Sequence, residues 1–232
     1  MGVPVERYSR ITGKNRREIC LLRGFPCRWG KCAFCDYIED NGRDEAAMAV
    51  QNRQVLSKVT GEMRVLEVIN SGSCFELPEA TLEDIRALVR EKGIEKLFFE
   101  SHWMYRGRLE EMRRRMGVPI VFKIGVETFD REFRQKVLNK NADFESPAQV
   151  AEYFDSPCLM VGIQGQTREM IAYDIECLKK YFKLGTVNVY NNNTTPIKRD
   201  EELVRWFMDA YSWLLEDPSV EVLYEITDFG VG

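Results

Sequence analysis

The sequence predicts an α/β fold with a parallel sheet and its helices outside, whose six units fit a partial TIM-type (β/α)6 barrel or an open doubly wound sheet. Two observations predict it. From about residue 18 short apolar, β-rich runs alternate with helix-like stretches, six times over, and parallel neighbours need crossover helices. The 232 residues fall short of the roughly 250 that an eight-unit barrel takes, yet can bury a substantial core without disulfides. No internal repeat, low-complexity tract or linker interrupts the rhythm, so the chain reads as one domain.

The first strand is expected at Glu18–Arg23 (EICLLR), with a polar helix around Asp44–Lys58. The second strand, Arg64–Ile69 (RVLEVI), leads to a well-marked helix. Thr81 and Asp84 resemble a capping box, Leu82, Ile85, Leu88 and Val89 form one apolar face, and Gly93 stands where a left-handed cap belongs. Strand three is Lys96–Glu100 (KLFFE), with a helix near Arg108–Arg115. Strand four is Ile120–Val126 (IVFKIGV), followed by helices from about Asp130 and from Ser146. Strand five is Cys158–Ile163, before a helix near Arg168–Phe182 that Gly185 is expected to stop. Strand six, Thr186–Tyr190, precedes a long helix at Asp200–Glu216 ended by Pro218, and a β-rich piece at Glu221–Ile226 closes the series.

Composition narrows the function. The 33 Lys+Arg against 37 Asp+Glu give a net charge of −4, which excludes a generally basic nucleic-acid coat. The basic run Arg106–Arg115 reads as a solvated helix face, not an RNA site. No apolar run reaches the roughly 18 residues of a membrane helix, and the polar start of the chain offers no signal peptide. Glu6 stands where a myristoylation signal wants Ser or Thr. A soluble, cytoplasmic protein is expected. One histidine, His102, in the whole chain excludes zinc sites built from several imidazoles and facial-triad iron sites. The odd count of seven cysteines argues against a disulfide framework.

In such folds ligands sit at the carboxyl ends of the strands, and the most unusual residues follow strands. These are Cys27–Cys35, Asn70–Ser73, Glu100–Tyr105, Glu127–Thr128, Gln164–Thr167 and Asn191–Thr195. In CRWGKCAFC, Cys27, Cys32 and Cys35 fall within nine residues. Three thiolates so close can converge on one soft metal centre, and the Cys-x-x-Cys part has the spacing of iron–sulfur and zinc loops. A three-ligand iron–sulfur cluster leaves one iron open to a small molecule. A structural zinc site, as in a non-catalytic zinc-binding module, would need a fourth ligand from Cys20, Cys74 or His102. Cys20, Cys158 and Cys177 read as core residues, and Cys74 either as core or as lining the site.

The chain resembles the radical S-adenosylmethionine superfamily over nearly its whole length. The resemblance implies that Cys27, Cys32 and Cys35 ligate a 4Fe–4S cluster, with Phe34 in the aromatic place before the third cysteine. The family usually has three residues between the first two cysteines, whereas here there are four. Asn70, Ser71, Gly72 and Ser73 stand where the family's Gly-rich segment meets the methionine amino group of S-adenosylmethionine. KIGVET implicates Glu127 and Thr128 in polar cofactor contacts, and VGIQGQT implicates Gly162, Ile163 and Gly165 along the adenine. Residues 1–232 would then form a single radical S-adenosylmethionine domain, with an N-terminal extension at 1–17 and a C-terminal strand and tail at 218–232. The implied chemistry is one-electron cleavage of S-adenosylmethionine to a 5′-deoxyadenosyl radical that takes hydrogen from a substrate. It calls for a reductant such as flavodoxin or ferredoxin.

No further cysteine group exists for an accessory cluster domain, which favours a small-molecule substrate over nucleic acid. Glu100, Ser101, His102, Trp103, Tyr105, Tyr190, Asn191, Asn192, Asn193, Thr194 and Thr195 offer a carboxylate, amides and rings suited to a planar, hydrogen-bonding heterocycle. Asn191–Asn193 read equally as a turn, and Trp103–Tyr105 as loop packing. FFESHW and IGVETFDREFRQKVLNKN look like the radical enzymes of 7-deazaguanine metabolism, most similar to the small bacterial queuine lyases. That resemblance implies cleavage of the carbon–nitrogen bond of queuine, releasing 7-aminomethyl-7-deazaguanine (preQ1) for queuosine salvage. His102 and Glu100 are the candidate acids for the leaving amine. The alternative within the superfamily is an enzyme acting on a tRNA-bound, archaeosine-type base.

Overall fold

The computed structural model describes residues 5–231. The first four residues, where a myristoylation signal would begin, lie outside the described residues. The chain divides into two compact units, one of Met1–Gly30, Tyr37–Phe122 and Thr227–Gly232, the other of Lys31–Asp36 and Lys123–Ile226.

In the first unit the strands lie in the order β1 (Tyr8–Ile11), β2 (Arg17–Leu22), β3 (Val65–Asn70), β4 (Lys96–Glu100). β2, β3 and β4 run parallel, with Ile19 opposite Glu67 and Leu66 opposite Leu97. Helix α1 (Glu45–Leu56) connects β2 to β3, and α2 (Glu79–Glu91) connects β3 to β4. Helix α3 (Leu109–Met116) follows a 3₁₀ stretch at Trp103–Arg108. This is the α/β, parallel-strand class that the alternation predicts. The apolar face of α2 is buried as expected, through Leu82, Ile85, Leu88 and Val89, as are Leu66, Val68, Leu97 and Phe99 of the strands. Each such side chain contributes about 1.5–3 kcal/mol.

β1 is not anticipated by the sequence, because its four residues show no apolar alternation. It pairs antiparallel with β2, and its Tyr8 hydroxyl donates to Glu18 Oε1 at 2.6 Å. Helix α2 also starts earlier than expected, at Glu79. Thr81 is therefore inside the helix, where its buried hydroxyl accepts from Asn52 Nδ2 at 3.1 Å. The capping box of this region belongs instead to Ser73 and Glu76, around the 3₁₀ turn Cys74–Glu76. Gly93 does adopt the left-handed conformation, at φ 62°.

A charged pair lies in the first unit's interior. Arg17 Nε meets Glu67 Oε2 at 2.5 Å, both side chains being 1% exposed. The Arg17 guanidinium also lies over the rings of Phe98 and Phe229, at 5.7 and 4.9 Å, and donates to Asn15 O at 2.8 Å.

In the second unit the strands β5 (Ile120–Glu127, here from Lys123), β6 (Ser156–Val161), β7 (Gly185–Val189) and β8 (Val220–Leu223) lie in that order and run parallel. Helices α4 (Pro147–Ala151), α5 (Arg168–Tyr181) and α6 (Glu201–Ala210) lie between them in sequence. Three expectations need correcting. The helix from Asp130 is a short turn of π-helix, Phe133–Val137. Gly185 does not stop α5, which ends at Phe182 in extended backbone. Gly185 opens β7 instead, where a Cβ would come within 2.2 Å of Leu178 Cδ1, so its role is close approach of strand to helix. The long helix to Glu216 breaks at Tyr211, whose ring stacks on Phe207 at 5.4 Å. A 3₁₀ turn, Ser212–Leu215, completes it.

Candidate active site

In the first unit the Gly72 turn follows β3 directly. Gly72 N–H donates to Asn70 O at 2.7 Å, and Asn70 Nδ2 donates to Ser73 O at 3.1 Å. The turn closes on Glu76, a buried residue that the sequence reading passed over. Glu76 Oε2 accepts from Ser73 N–H at 2.6 Å, while Oε1 accepts from Arg28 N–H at 2.7 Å and the Tyr105 hydroxyl at 3.1 Å. Phe25 N–H donates to the Glu76 backbone carbonyl at 2.7 Å. A Cβ on Gly72 would stand 2.2 Å from Glu76 Oε2, so the carboxylate requires glycine there. The available signal was Ser73-x-x-Glu76, a capping box in the sequence.

After β4, Ser101 is buried and its hydroxyl lies 3.1 Å from that of Ser73. His102 caps the 3₁₀ stretch, its Nδ1 accepting from Met104 N–H at 3.2 Å. An accepting Nδ1 puts the proton of the neutral ring on Nε2. Tyr105 is buried and stacks on Phe75 at 5.1 Å. Burial, with the charge of Glu76, pushes its hydroxyl up to about 12. Glu100 at the strand end is half-buried. The arginines of 106–115 are largely spent on surface pairs, such as Arg108 with Glu111 and Arg115 with Glu79 and Glu83, as a solvated face requires.

In the second unit the segment Lys31–Asp36 is tied to the stretch after the π-turn. Ala33 N–H donates to Leu138 O at 2.9 Å, and Asn139 Nδ2 donates to Lys31 O at 2.7 Å. Phe34 shares an apolar cluster with Phe133, Leu138, Met160, Ile163 and Tyr190, and Cys32 and Cys35 pack against it. Phe34, Ile163 and Tyr190, singled out separately in the sequence, are thus brought together. Lys140, which sequence reasoning missed, lies over the Phe34 ring at 5.4 Å and donates to Glu127 Oε1 at 2.6 Å. Burial pulls its pKa down, but the Glu127 carboxylate and the nearby Cys32 and Cys35 sulfurs outweigh it and hold the ammonium above its ordinary range. Glu127 itself is left-handed, at φ 65°, beside an irregularity in the β5–β6 register. Backbone strain of this kind collects at functional sites.

Thr128 is fully buried. Its hydroxyl accepts from Asp130 N–H at 3.0 Å, and its carbonyl from Arg134 Nη1 at 2.8 Å. The neighbouring Phe129 N–H donates to Asp174 Oδ1 at 2.6 Å, while Asp174 Oδ2 is buried and unpartnered. Burial outweighs the Phe129 and Thr128 hydrogen bonds and pushes the Asp174 carboxyl up to about 7, from an ordinary 3.8. Between those values the folded chain retains a proton that the unfolded chain has released. The stabilisation is therefore complete below about pH 4 and is lost as pH rises through about 7. Asp174→Asn is expected to remove this decline, worth about 3 kcal/mol between pH 5 and pH 8. Urea denaturation of both proteins at the two pH values measures it, and equal losses would refute the assignment.

Gly162 is left-handed at φ 84°, and a Cβ there would lie 2.2 Å from Val204 Cγ2. The turn that follows is closed by Gln166, whose Oε1 accepts from Gly162 N–H at 3.0 Å and whose Nε2 donates to Met160 O at 2.9 Å. Gly165 is also left-handed, at φ 90°. After β7 the asparagine amides tie their loop to other segments. Asn191 Nδ2 donates to Tyr224 O at 2.8 Å, and Asn192 Oδ1 accepts from Arg199 N–H at 2.9 Å. Asn193 Nδ2 donates to Phe34 O at 2.7 Å, and its Oδ1 accepts from Thr195 N–H at 3.0 Å and the Tyr190 hydroxyl at 3.2 Å.

The seven thiols divide cleanly. Cys20, Cys74, Cys158 and Cys177 are buried, whereas Cys27, Cys32 and Cys35 are half-buried, and none is in a disulfide. Burial drives the Cys20 thiol up to about 12 and that of Cys74 higher still, which suits inert core residues. Cys35 N–H donates to Cys32 O at 3.3 Å. The donor chemistry of the three half-buried thiols, two of them beside the Lys140 cation, fits thiolate ligation of an iron–sulfur cluster. Among the described residues no three His, Cys, Asp or Glu side chains, Cys27, Cys32 and Cys35 included, are gathered closely enough to hold a metal ion. No described helix is long and apolar enough to cross a membrane.

No protein-family model matches the chain, and no curated protein does. Among solved structures the chain is similar to a queuine lyase from Clostridium spiroforme bound to S-adenosylmethionine and queuine. Identity is 53%, the match covers 99% of this chain and 100% of that chain, and the TM-score is 0.97. A radical S-adenosylmethionine methyltransferase, TsrM, from Kitasatospora setae, with cobalamin and a [4Fe–4S] cluster bound, matches at 10% identity. That match covers 73% of this chain and 34% of that chain, with a TM-score of 0.48, a distance at which no shared property follows.

Proposed function

This chain belongs to the queuine lyase family, and from that premise we propose that it is a radical S-adenosylmethionine lyase that cleaves the carbon–nitrogen bond of queuine and releases 7-aminomethyl-7-deazaguanine. The observation that carries the reading is 53% identity over the full length of a lyase solved with S-adenosylmethionine and queuine. Cys27, Cys32 and Cys35 would hold the 4Fe–4S cluster. With S-adenosylmethionine bound, that centre supplies one-electron, hydrogen-abstracting chemistry.

The chain's own residues orient and protect. Asn70, Ser71, Gly72 and Ser73 offer a glycine turn with backbone groups for the methionine end of S-adenosylmethionine, and Glu127 and Thr128 offer polar contacts. Gly162, Ile163 and Gly165, in the turn after β6, would lie along the adenine. Phe34 and its apolar cluster keep water from the segment between Cys32 and Cys35. Ser101, His102, Tyr105, Tyr190 and Asn191–Asn193 are the residues proposed to recognise the base. The departing amine needs a proton, and Glu100 is placed at a strand end to hold one. His102, protonated at Nε2, offers a hydrogen-bond donor beside it. The reading treats residues 1–232 as one catalytic domain, reduced by a flavodoxin or ferredoxin in the cytoplasm.

The test is anaerobic reconstitution, iron and sulfide analysis, and incubation with S-adenosylmethionine, reductant and either free queuine or queuosine-containing tRNA. A brown protein that converts free queuine to 7-aminomethyl-7-deazaguanine is expected. Alteration of the tRNA alone, or a colourless zinc protein, overturns the reading.

A further inference from the structure

We propose that Glu76 is a positioning residue whose one carboxylate fixes the segment carrying Cys27 to the Gly72 turn and to Tyr105. The proposal rests on the lyase reading for what those segments do, and on hydrogen bonds for what Glu76 does. The carboxylate is shared by three donors from three different parts of the first unit: Arg28 N–H, Ser73 N–H and the Tyr105 hydroxyl, at 2.7, 2.6 and 3.1 Å. Arg28 immediately follows Cys27. Ser73 ends the Gly72 turn. Tyr105 lies in the 3₁₀ stretch behind β4.

The backbone of Glu76 completes the tie by accepting from Phe25 N–H at 2.7 Å. Gly24 also approaches so closely that a Cβ there would lie 3.0 Å from Glu76 O. The residue is 6% exposed, so these donors would be left unpaired in a dry setting without it. Both carboxylate oxygens are occupied by the chain, so Glu76 acts by holding other groups and not as a ligand. Charge-assisted hydrogen bonds of this kind are short and roughly twice as strong as neutral ones. Three of them converging on one group couple segments that are otherwise joined only through loops.

Two substitutions test this. Glu76→Gln replaces an acceptor oxygen with an NH₂ that cannot accept. Gly72→Ala keeps the charge but drives a methyl group into Oε2, so it breaks the same tie from the other side and remains informative if the first variant folds poorly. Hydrogen exchange of each apoprotein is expected to show the Arg28 and Ser73 amides losing protection about tenfold or more, with β2 and β3 amides unchanged. In reconstituted protein, the change that S-adenosylmethionine causes in the electron paramagnetic resonance spectrum of the reduced cluster should weaken. KM for S-adenosylmethionine should rise more than kcat falls.

Wild-type protection of both amides in both variants overturns the proposal. If the variants loosen both amides while the wild-type protein leaves queuine intact, the Glu76 tie stands and the lyase reading falls.

Discussion

Cys32→Ala is expected to leave the chain folded while abolishing 5′-deoxyadenosine formation. The thiol is half-buried at the edge of the Phe34 cluster and belongs to a loop. Removing it deletes one sulfur from a partly solvated position, a change of about 1 kcal/mol or less. The loop keeps its backbone anchors, Ala33 to Leu138 and Asn139 to Lys31. A three-thiolate centre, by contrast, has no spare ligand, since the other four thiols are buried elsewhere in the core. Iron and sulfide content after anaerobic reconstitution should fall well below that of the wild type, with the melting temperature shifted by no more than about 5 °C. Cys177→Ala, at a buried helix position, should keep its iron. Full retention of 5′-deoxyadenosine formation in Cys32→Ala would sink the assignment of this loop.

The largest effect on stability is expected at Glu67. Its carboxylate and the Arg17 guanidinium are each 1% exposed and 2.5 Å apart, and Arg17 is further held over Phe98 and Phe229. Glu67→Ala leaves a cation in the interior without that counter-charge, which costs about 3–5 kcal/mol. Arg17→Met combined with Glu67→Leu removes both charges and fills similar volume, so the double variant should be more stable than Glu67→Ala alone. Urea denaturation of the three proteins decides it. A Glu67→Ala protein within about 0.5 kcal/mol of the wild type would mean that the pair contributes nothing beyond an ordinary surface substitution.

The strands were legible wherever an apolar run had to be buried on both faces, as in Cys158–Val161, because burial writes itself into residue type. β1 was not, because a four-residue edge strand is held by backbone pairing and by side-chain bonds such as Tyr8–Glu18 and Arg10–Glu62 rather than by its own composition. The helix ends were misjudged where tertiary contacts overrode local signals. Thr81 looks like a cap but is claimed by Asn52, and α6 gives way after Ala210 to the 3₁₀ turn Ser212–Leu215. In the candidate site the cysteine spacing and glycine turns could be read directly, since thiol chemistry and left-handed backbone restrict residue choice. Lys140 escaped because nothing in a single charged residue announces which distant groups it serves, whereas Glu76 was passed over although Ser73-x-x-Glu76 spells a capping box. The asparagines after β7 are the converse case. Their type suggested a ligand or a turn, and their amides bond to Tyr224 O, Phe34 O and Arg199 N–H.

Asn193 carries a practical consequence for engineering. Its amide holds the carbonyl of Phe34, the residue just ahead of Cys35, and its oxygen gathers Tyr190 and Thr195. Exchanging residues 191–196 for a longer or shorter segment, a common route to new selectivity, would also unmoor the dipeptide Ala33–Phe34 between two cysteines. Retargeting at this corner is therefore better pursued by single replacements that spare the amide than by loop transplantation.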